Sequence, residues 1–305
     1  MPLRLPDTLP AVELLKQENI FVMGYKRADT QQIRPLRLAI LNLMPLKITT
    51  ETDFIRILSN SALQVQIDFM KIKSHTSKNT PVEHMQMFYR DFEEMKKEKY
   101  DGLIVTGAPL EQMDYDEVRY WEELQDVFNW AHNHVTSTIY VCWAAQAALF
   151  HFFNVPKYPT DGKVFGVFRH QMLTPEIPLF RGFDDEFFMP HSRHSTMLKE
   201  DRAKVPDISM LAESEEAGVS IMSSRNGREI FITGHLEYSP LTLASEYKRD
   251  VAKGLPIHLP QNYYKDDDPN LPPVVRWRAA ANLLYTNWLN YYVYQETPYN
   301  IDEIN

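Results

Sequence analysis

The chain has 305 residues, 44% of them hydrophobic and 24% charged, and a formal net charge of -9. That composition supplies one sizeable core, while the acidic balance argues against a general nucleic-acid binder, which needs a basic face. A single cysteine excludes an internal disulfide and a cysteine-rich metal centre, and no stretch is apolar for long enough to span a membrane.

The first 22 residues are broken by Pro2, Pro6, Pro10 and several charges and lack the apolar run of a secretory signal, so the cytoplasm is the expected compartment. Residues 1–34 read as an arm packed on the core, and 35–305 as one α/β catalytic domain with a helical elaboration near its C-terminus. Leu36 to Leu43 is a largely apolar strand, followed by a helix over 49–59 with acidic residues in its first turn. Leu63, Val65, Ile67 and Phe69 alternate with polar residues, the mark of a strand with one less buried face. Thr80 as N-cap, Pro81 at the first helical position and Glu83 completing a capping box predict a helix over 81–98. A short strand, Leu103 to Val105, then runs into Thr106-Gly107-Ala108-Pro109-Leu110-Glu111, and a helix over 117–134 precedes a strand ending at Cys142.

This alternation predicts right-handed crossovers and a mostly parallel sheet covered by helices on both faces, with chemistry gathered at the carboxyl ends of the strands. The second half is less regular. Val219 to Met222 and Ile230 to Ile232 flank Asn226-Gly227, a hairpin signal, and helices are expected over 242–253 and 274–292 around a Pro/Asp-rich loop at 254–273.

Cys142 stands where Ile139-Tyr140-Val141 gives way to Trp143-Ala144-Ala145-Gln146-Ala147-Ala148, the layout of a nucleophile elbow. The unpaired N–H groups and positive end of the following helix favour the thiolate there. A free cysteine is ordinarily a small inert hydrophobe, so the assignment needs a histidine. His235 provides one at the end of Ile230-Phe231-Ile232, and period-two alternation puts Glu237 on the same side if the extended conformation continues. A carboxylate beside the imidazole fixes its tautomer and stabilises the imidazolium. The alternative is a satisfied polar pair at a strand end.

Together with Thr106-Gly107-Ala108-Pro109 and Gly234-His235-Leu236-Glu237-Tyr238, the run beginning at Cys142 resembles the MetA-type homoserine O-acyltransferases, which share the flavodoxin-like three-layer α/β sandwich of class I glutamine amidotransferases. The resemblance extends from Leu41-Asn42-Leu43-Met44-Pro45 through Asp161-Gly162-Lys163 and His191-Ser192-Arg193-His194-Ser195 to Arg249-Asp250. Departures are Tyr140 and Ala144 in place of the glycines that usually flank an amidotransferase nucleophile, Leu236 in place of proline, and Ser239 in place of aspartate.

The resemblance implies ping-pong acyl transfer from an acyl-coenzyme A to the hydroxyl of L-homoserine, a step of methionine biosynthesis. Cys142 is then the nucleophile, His235 the general base and Glu237 its orienting carboxylate, with Lys163, Ser192 and Arg249 binding substrate and Lys47 near the same mouth. The backbone N–H groups of Trp143 and Leu110 are the expected oxyanion donors. No metal or other cofactor is implied, acetyl-coenzyme A being a substrate. A homodimer is implied, and the aromatic Trp288, Tyr291, Tyr292 and Tyr294 suit either a dimer face or ordinary core.

Glu111, with Ser192, is expected to select the acyl donor. Glutamate at that position is similar to acetyl users and glycine to succinyl users, and a carboxylate there repels the terminal carboxylate of succinyl-coenzyme A. A succinyltransferase with the same triad, a glutaminase-like amide hydrolase and a non-catalytic binding module are the alternatives.

Overall fold

The structure, a computed structural model, describes residues 4–6, 8–17, 23–24, 34–74, 79–298 and 300–304. Its elements in chain order are β1 (Arg4–Leu5), α1 (Pro10–Gln17), β2 (Met23–Gly24), β3 (Leu36–Leu41), α2 (Lys47–Leu58), β4 (Val65–Lys71), α3 (Val82–Phe88), β5 (Tyr89–Asp91), α4 (Phe92–Met95) and β6 (Tyr100–Val105). These are followed by α5 (Trp121–His134), β7 (Val135–Val141), α6 (Trp143–Phe153), β8 (Tyr158–Met172), β9 (Glu186–Thr196), α7 (Lys199–Ala203), β10 (Ser209–Ser214), β11 (Gly218–Ser224), β12 (Glu229–Ile232), α8 (Thr242–Ala252) and α9 (Arg278–Asn287), which a π-helical segment, Trp288–Tyr294, continues.

The strands form one sheet in the order β2-β1-β4-β3-β6-β7-β12-β11-β10-β8-β9, with β5 alongside β4. From β2 to β12 the pairings are parallel. From β12 to β9 they are antiparallel. The central strands are buried at nearly every position because both faces are covered. In β3, Leu38 and Ile40 pack with Phe54 and Ile55 of α2 and Leu284 of α9. Ala39 and Leu41 face the other layer, with Leu124 and Phe128 of α5 and Trp143 of α6. Tyr140 of β7 and Phe231 of β12 stack at 5.3 Å within that second layer. The result is a three-layer α/β sandwich, and among the described residues no helix is long and apolar enough to cross a membrane.

Several expectations are corrected. The helix over 81–98 is interrupted: Tyr89–Asp91 pairs as a short parallel strand with Phe69–Lys71, which fills backbone bonds that β4 would otherwise leave open. Its anchor is Tyr89, whose ring stacks on Phe69 and whose hydroxyl donates to Glu51. The capping box is absent too. The N-cap is Pro81, without a side-chain cap, and the Thr80 hydroxyl is buried with no partner.

The helix before β7 begins at Trp121 after a 3-10 turn over Tyr115–Glu117, and the C-terminal helix begins at Arg278 rather than at 274. The hairpin holds, with Arg225, Asn226 and Gly227 all at positive φ in its turn. The strands β8, β9 and β10 have no counterpart in the sequence reading. Most of the expected arm over 1–34 lies outside the described residues. Of the C-terminal aromatics, Trp288 is core and donates to Ser137 Oγ, Tyr291 accepts from Arg181, and Tyr294 is exposed.

Candidate active site

Four adjacent strands, β3, β6, β7 and β12, bring their carboxyl ends together. Register does the positioning: Ile232 pairs with Val141, so the residue after β7 comes level with the end of β12, and Cys142 N–H donates to Ile232 O at 2.7 Å. Cys142 has φ 52° and ψ -117° between β7 and α6, a strained conformation for a residue with a Cβ. The next residue, Trp143, opens α6, and as the first helical residue its N–H has no acceptor within the helix. Gly107, after β6, presses on this elbow. A Cβ on Gly107 would lie 3.2 Å from Cys142 Cβ and 3.5 Å from His235 Cε1, so that position must stay bare for thiol and imidazole to keep their places.

His235 and Glu237 meet, though not by strand alternation. The chain leaves β12 after Ile232 and turns, with Tyr238 N–H donating to His235 O, and the turn brings Glu237 Oε1 to 2.7 Å from His235 Nδ1. Glu237 Oε2 is buried without a partner among the described residues. The imidazole is fully buried, which by itself disfavours its charged form. Interactions with Cys142 and with the Glu237 carboxylate outweigh burial and hold His235 well above its ordinary value. Tyr238 stacks on the ring at 4.1 Å and 14°. Cysteine, histidine and glutamate therefore form a connected chain, with the imidazolium favoured in the resting site.

The expected substrate residues lie around this chain. Lys163, on β8 and only 6% exposed, reaches Asp250 Oδ2 at 3.3 Å and Glu246 Oε2 at 3.5 Å and sits over the Phe165 ring. Ser192, on β9, donates its hydroxyl to Glu246. Arg249 is half-exposed on α8 and donates Nε to Asp250 Oδ1 at 2.7 Å. Glu111 is held toward its protonated form, first by burial, while the charges of His235 and Lys163 pull the other way and Glu246 adds to the rise. Glu111 is thus close enough to His235, Lys163 and Glu246 to interact with their charges.

Two expected residues are engaged elsewhere. Leu110 N–H already donates to Ala108 O at 2.8 Å in a tight turn, so it is not free for an oxyanion. Lys47 is buried, and its ammonium donates to the carbonyls of Asn42 at 2.6 Å and Met44 at 3.2 Å, bracing the loop after β3. Burial lowers its pKa to about 8, against the pull of Glu51.

The structure adds residues that the sequence reading passed over. Arg193, on β9 beside Ser192, is buried and bonded to neutral acceptors: His191 Nδ1, Ser195 O and Ala217 O. Burial lowers its pKa to about 10, and interaction with Cys142 and Glu111 opposes that fall. A buried guanidinium thus lies within electrostatic reach of Cys142. Glu246, one turn before Arg249 on α8, gathers Lys163, Ser192 and the Tyr238 hydroxyl, which donates to Oε1 at 3.0 Å. A signal for Glu246 was available: on a helix, a residue three before Arg249, the expected carboxylate binder, shares its face.

A buried nucleophile on an elbow, a charged imidazole with its carboxylate and a helix N-terminus beside the thiol together suit acyl transfer through a thioester. Comparison with known proteins agrees with acyl transfer. The family model described as homoserine O-succinyltransferase matches residues 2–299. A protein of Bacteroides thetaiotaomicron named homoserine O-acetyltransferase is 66% identical over 304 residues, all of both chains, and one of Brevibacillus brevis with the same name is 55% identical over 99% of each. Among solved structures, a glutamine amidotransferase from Thermotoga maritima is similar over 85% of this chain and 98% of its own, with a TM-score of 0.52 at 14% identity. Another from Methylobacillus flagellatus covers 85% and 95%, with a TM-score of 0.51 at 14% identity. These two likenesses show the fold alone.

Proposed function

The chain belongs to the homoserine O-succinyltransferase family and is a homoserine acyltransferase, and we propose that its donor is acetyl-coenzyme A, transferred through a thioester on Cys142. The observation that carries the thioester route is the buried Cys142–His235–Glu237 chain on a strained elbow. Cys142 thiolate attacks the acetyl carbonyl, and the tetrahedral oxyanion lies toward the N–H of Trp143. Collapse breaks the carbon–sulfur bond to coenzyme A, whose sulfur takes the proton from His235. With the thiolate consumed, the main support for the imidazolium is gone, and neutral His235 is a base. It takes the hydroxyl proton of homoserine as that oxygen attacks the thioester, and collapse releases O-acetylhomoserine and restores thiolate and imidazolium. The scheme needs no cofactor beyond the acyl donor.

Glu111 supports acetyl over succinyl. It lies in the pocket of His235 and Lys163 and is already disfavoured as an anion by burial. A succinyl carboxylate arriving there either forces proton uptake or meets like charge, and the side chain occupies its space. About 1.4 kcal/mol of such a penalty is tenfold in rate. The relatives named homoserine O-acetyltransferase support the same choice. The proposed setting is cytoplasmic methionine biosynthesis, with the enzyme a homodimer.

Coenzyme A release with L-homoserine, measured with acetyl- and succinyl-coenzyme A in parallel and with Cys142→Ala as control, tests the proposal. Acetyl preference that disappears in the control is expected. Succinyl preference would keep the triad and overturn the role of Glu111. Ammonia release from glutamine without turnover of either donor would replace acyl transfer with amide hydrolysis.

A further inference from the structure

We propose that Glu246 is the anionic anchor for the α-ammonium of the acceptor, the contact that restricts the acceptor to α-amino acids. The inference deepens the homoserine acyl-transfer reading and rests on it. Lys163 and Arg249 offer cations for the acceptor's carboxylate, but a zwitterion also brings an ammonium, and burying that charge without a partner is costly. Four carboxylates border the site. Glu237 bonds the Nδ1 side of His235, away from the Nε2 that an acceptor hydroxyl must reach. Asp250 has one oxygen on Arg249 Nε and the other on Lys163 Nζ. Glu111 belongs to the turn assigned to the acyl donor and is pushed by burial toward its neutral form.

Glu246 differs from all three. Its side chain keeps 14% of its surface exposed beside Lys163 and Ser192. Oε2 takes the Ser192 hydroxyl and a long contact from Lys163, whereas Oε1 takes the Tyr238 phenol at 3.0 Å. Each carboxylate oxygen accepts about two hydrogen bonds, so Oε1 has room for an ammonium. The span also fits. In an extended γ-hydroxy-α-amino acid the hydroxyl and ammonium are about 5 Å apart, and a hydrogen bond of about 2.8 Å at each end lets the molecule bridge groups roughly 10 Å apart. From His235 to Glu246 the route is a 4.1 Å stack onto Tyr238, one phenol ring, and a 3.0 Å hydrogen bond, which is the same order. Tyr238 thus serves as the spacer between the base and the anchor.

The experiment compares kcat/KM for L-homoserine and for 4-hydroxybutyrate, the same chain without the ammonium, in the full-length protein and its Glu246→Gln and Glu246→Asp variants. Acylation of Cys142 is followed separately by intact-protein mass. A charge-assisted contact predicts that the unmodified protein prefers homoserine by about a hundredfold or more, that Glu246→Gln cuts this ratio at least about tenfold, and that Glu246→Asp retains most of it. Use of 4-hydroxybutyrate within about threefold of homoserine by the unmodified protein would overturn the inference however the variants fold. Equal losses for both acceptors in Glu246→Gln would overturn it as well, leaving Glu246 to hold Lys163 and Ser192. If Cys142 takes up no acyl group from any acyl-coenzyme A, the acyl-transfer reading fails first and this inference falls with it.

Discussion

At the scale of single residues, the charge on His235 is set by its neighbours. Burial opposes that charge, and Cys142 and Glu237 restore it, so removing either one should release the proton at lower pH. Glu237→Gln keeps the shape, removes the charge and turns an acceptor into an amide that can present N–H to Nδ1. A drop in kcat of about a hundred- to ten-thousand-fold is expected, as for loss of the orienting carboxylate in other triads. Homoserine KM should move little, and steady-state kinetics read both quantities. Gly107→Ala makes a different demand. The added methyl meets Cys142 Cβ at 3.2 Å, so Cys142 must shift by a few tenths of an ångström relative to the imidazole, which the methyl only touches at 3.5 Å. Because small misplacements of reacting groups are expensive in rate, kcat should fall about tenfold or more while the thermal midpoint stays within a few degrees. Parallel loss of both would show that Gly107 serves packing instead. The elbow and the histidine were legible because a lone cysteine after an apolar strand and a histidine after another need only local pattern. Arg193 was not, since nothing in His-Ser-Arg-His-Ser announces that its guanidinium turns inward toward Cys142 and Glu111 rather than to solvent.

At the scale of elements, the parallel strands were readable and the antiparallel ones were not, for a physical reason. The strands β3, β6 and β7 are buried on both faces, and each ends in an unbroken apolar run, Leu38 to Leu41, Leu103 to Val105 and Ile139 to Val141. The strand β8 carries Pro159, Asp161 and Gly162 in an exposed first half with a register break before Val164, a composition that reads as loop. Yet β8 and β9 deliver Lys163 and Ser192, so this part of the candidate site was visible only through family resemblance. The long loop after α8 is tied to β8 where Val167 N–H donates to Gln261 O and Gln261 N–H to Phe165 O. Gly166 makes this approach possible. At φ +153°, any Cβ there would sit 2.5 Å from Gln261 O and 2.6 Å from Gln261 N. Gly166→Ala should therefore detach the loop, losing about 2–4 kcal/mol of stability as backbone clashes of this kind do. Since His258 on that loop bonds the carbonyl of Lys163, homoserine KM should rise as well. Urea unfolding and KM together test this, and an unchanged unfolding midpoint would refute it.

At the scale of the whole molecule, the fold joins a parallel half that ends at Cys142 to an antiparallel half that carries Lys163 and Ser192, and a polar cluster is buried within the antiparallel half. His170 on β8 and His191 on β9 meet there, with Nε2 atoms 3.1 Å apart and Arg193 beside them. Burial lowers His170 to about 4, against its bond to the Phe168 carbonyl and helped by Arg193, and burial, Arg193, His170 and His235 press His191 well below its ordinary value. Both are thus neutral in the folded protein at pH values where the unfolded chain, with an ordinary histidine near 6.5, takes up protons. In that window the unfolded state binds more protons than the folded one, so stability is full above about 6.5 and falls as pH drops toward 4. His170 alone accounts for about 3 kcal/mol of loss across the window at about 1.4 kcal/mol per unit of pH and pKa difference. The carboxylates Glu98 and Asp250, which their arginine and lysine partners hold below their ordinary values, add losses at still lower pH. A His170→Gln variant isolates the histidine part: it keeps a polar side chain near Ser220 Oγ but cannot take up the proton. Urea unfolding at pH 7, 5.5 and 4.5 should give a shallower fall in stability for the variant than for the unmodified protein, by close to one proton. Parallel slopes would mean that His170 is not what titrates, and that acid lability comes from other groups.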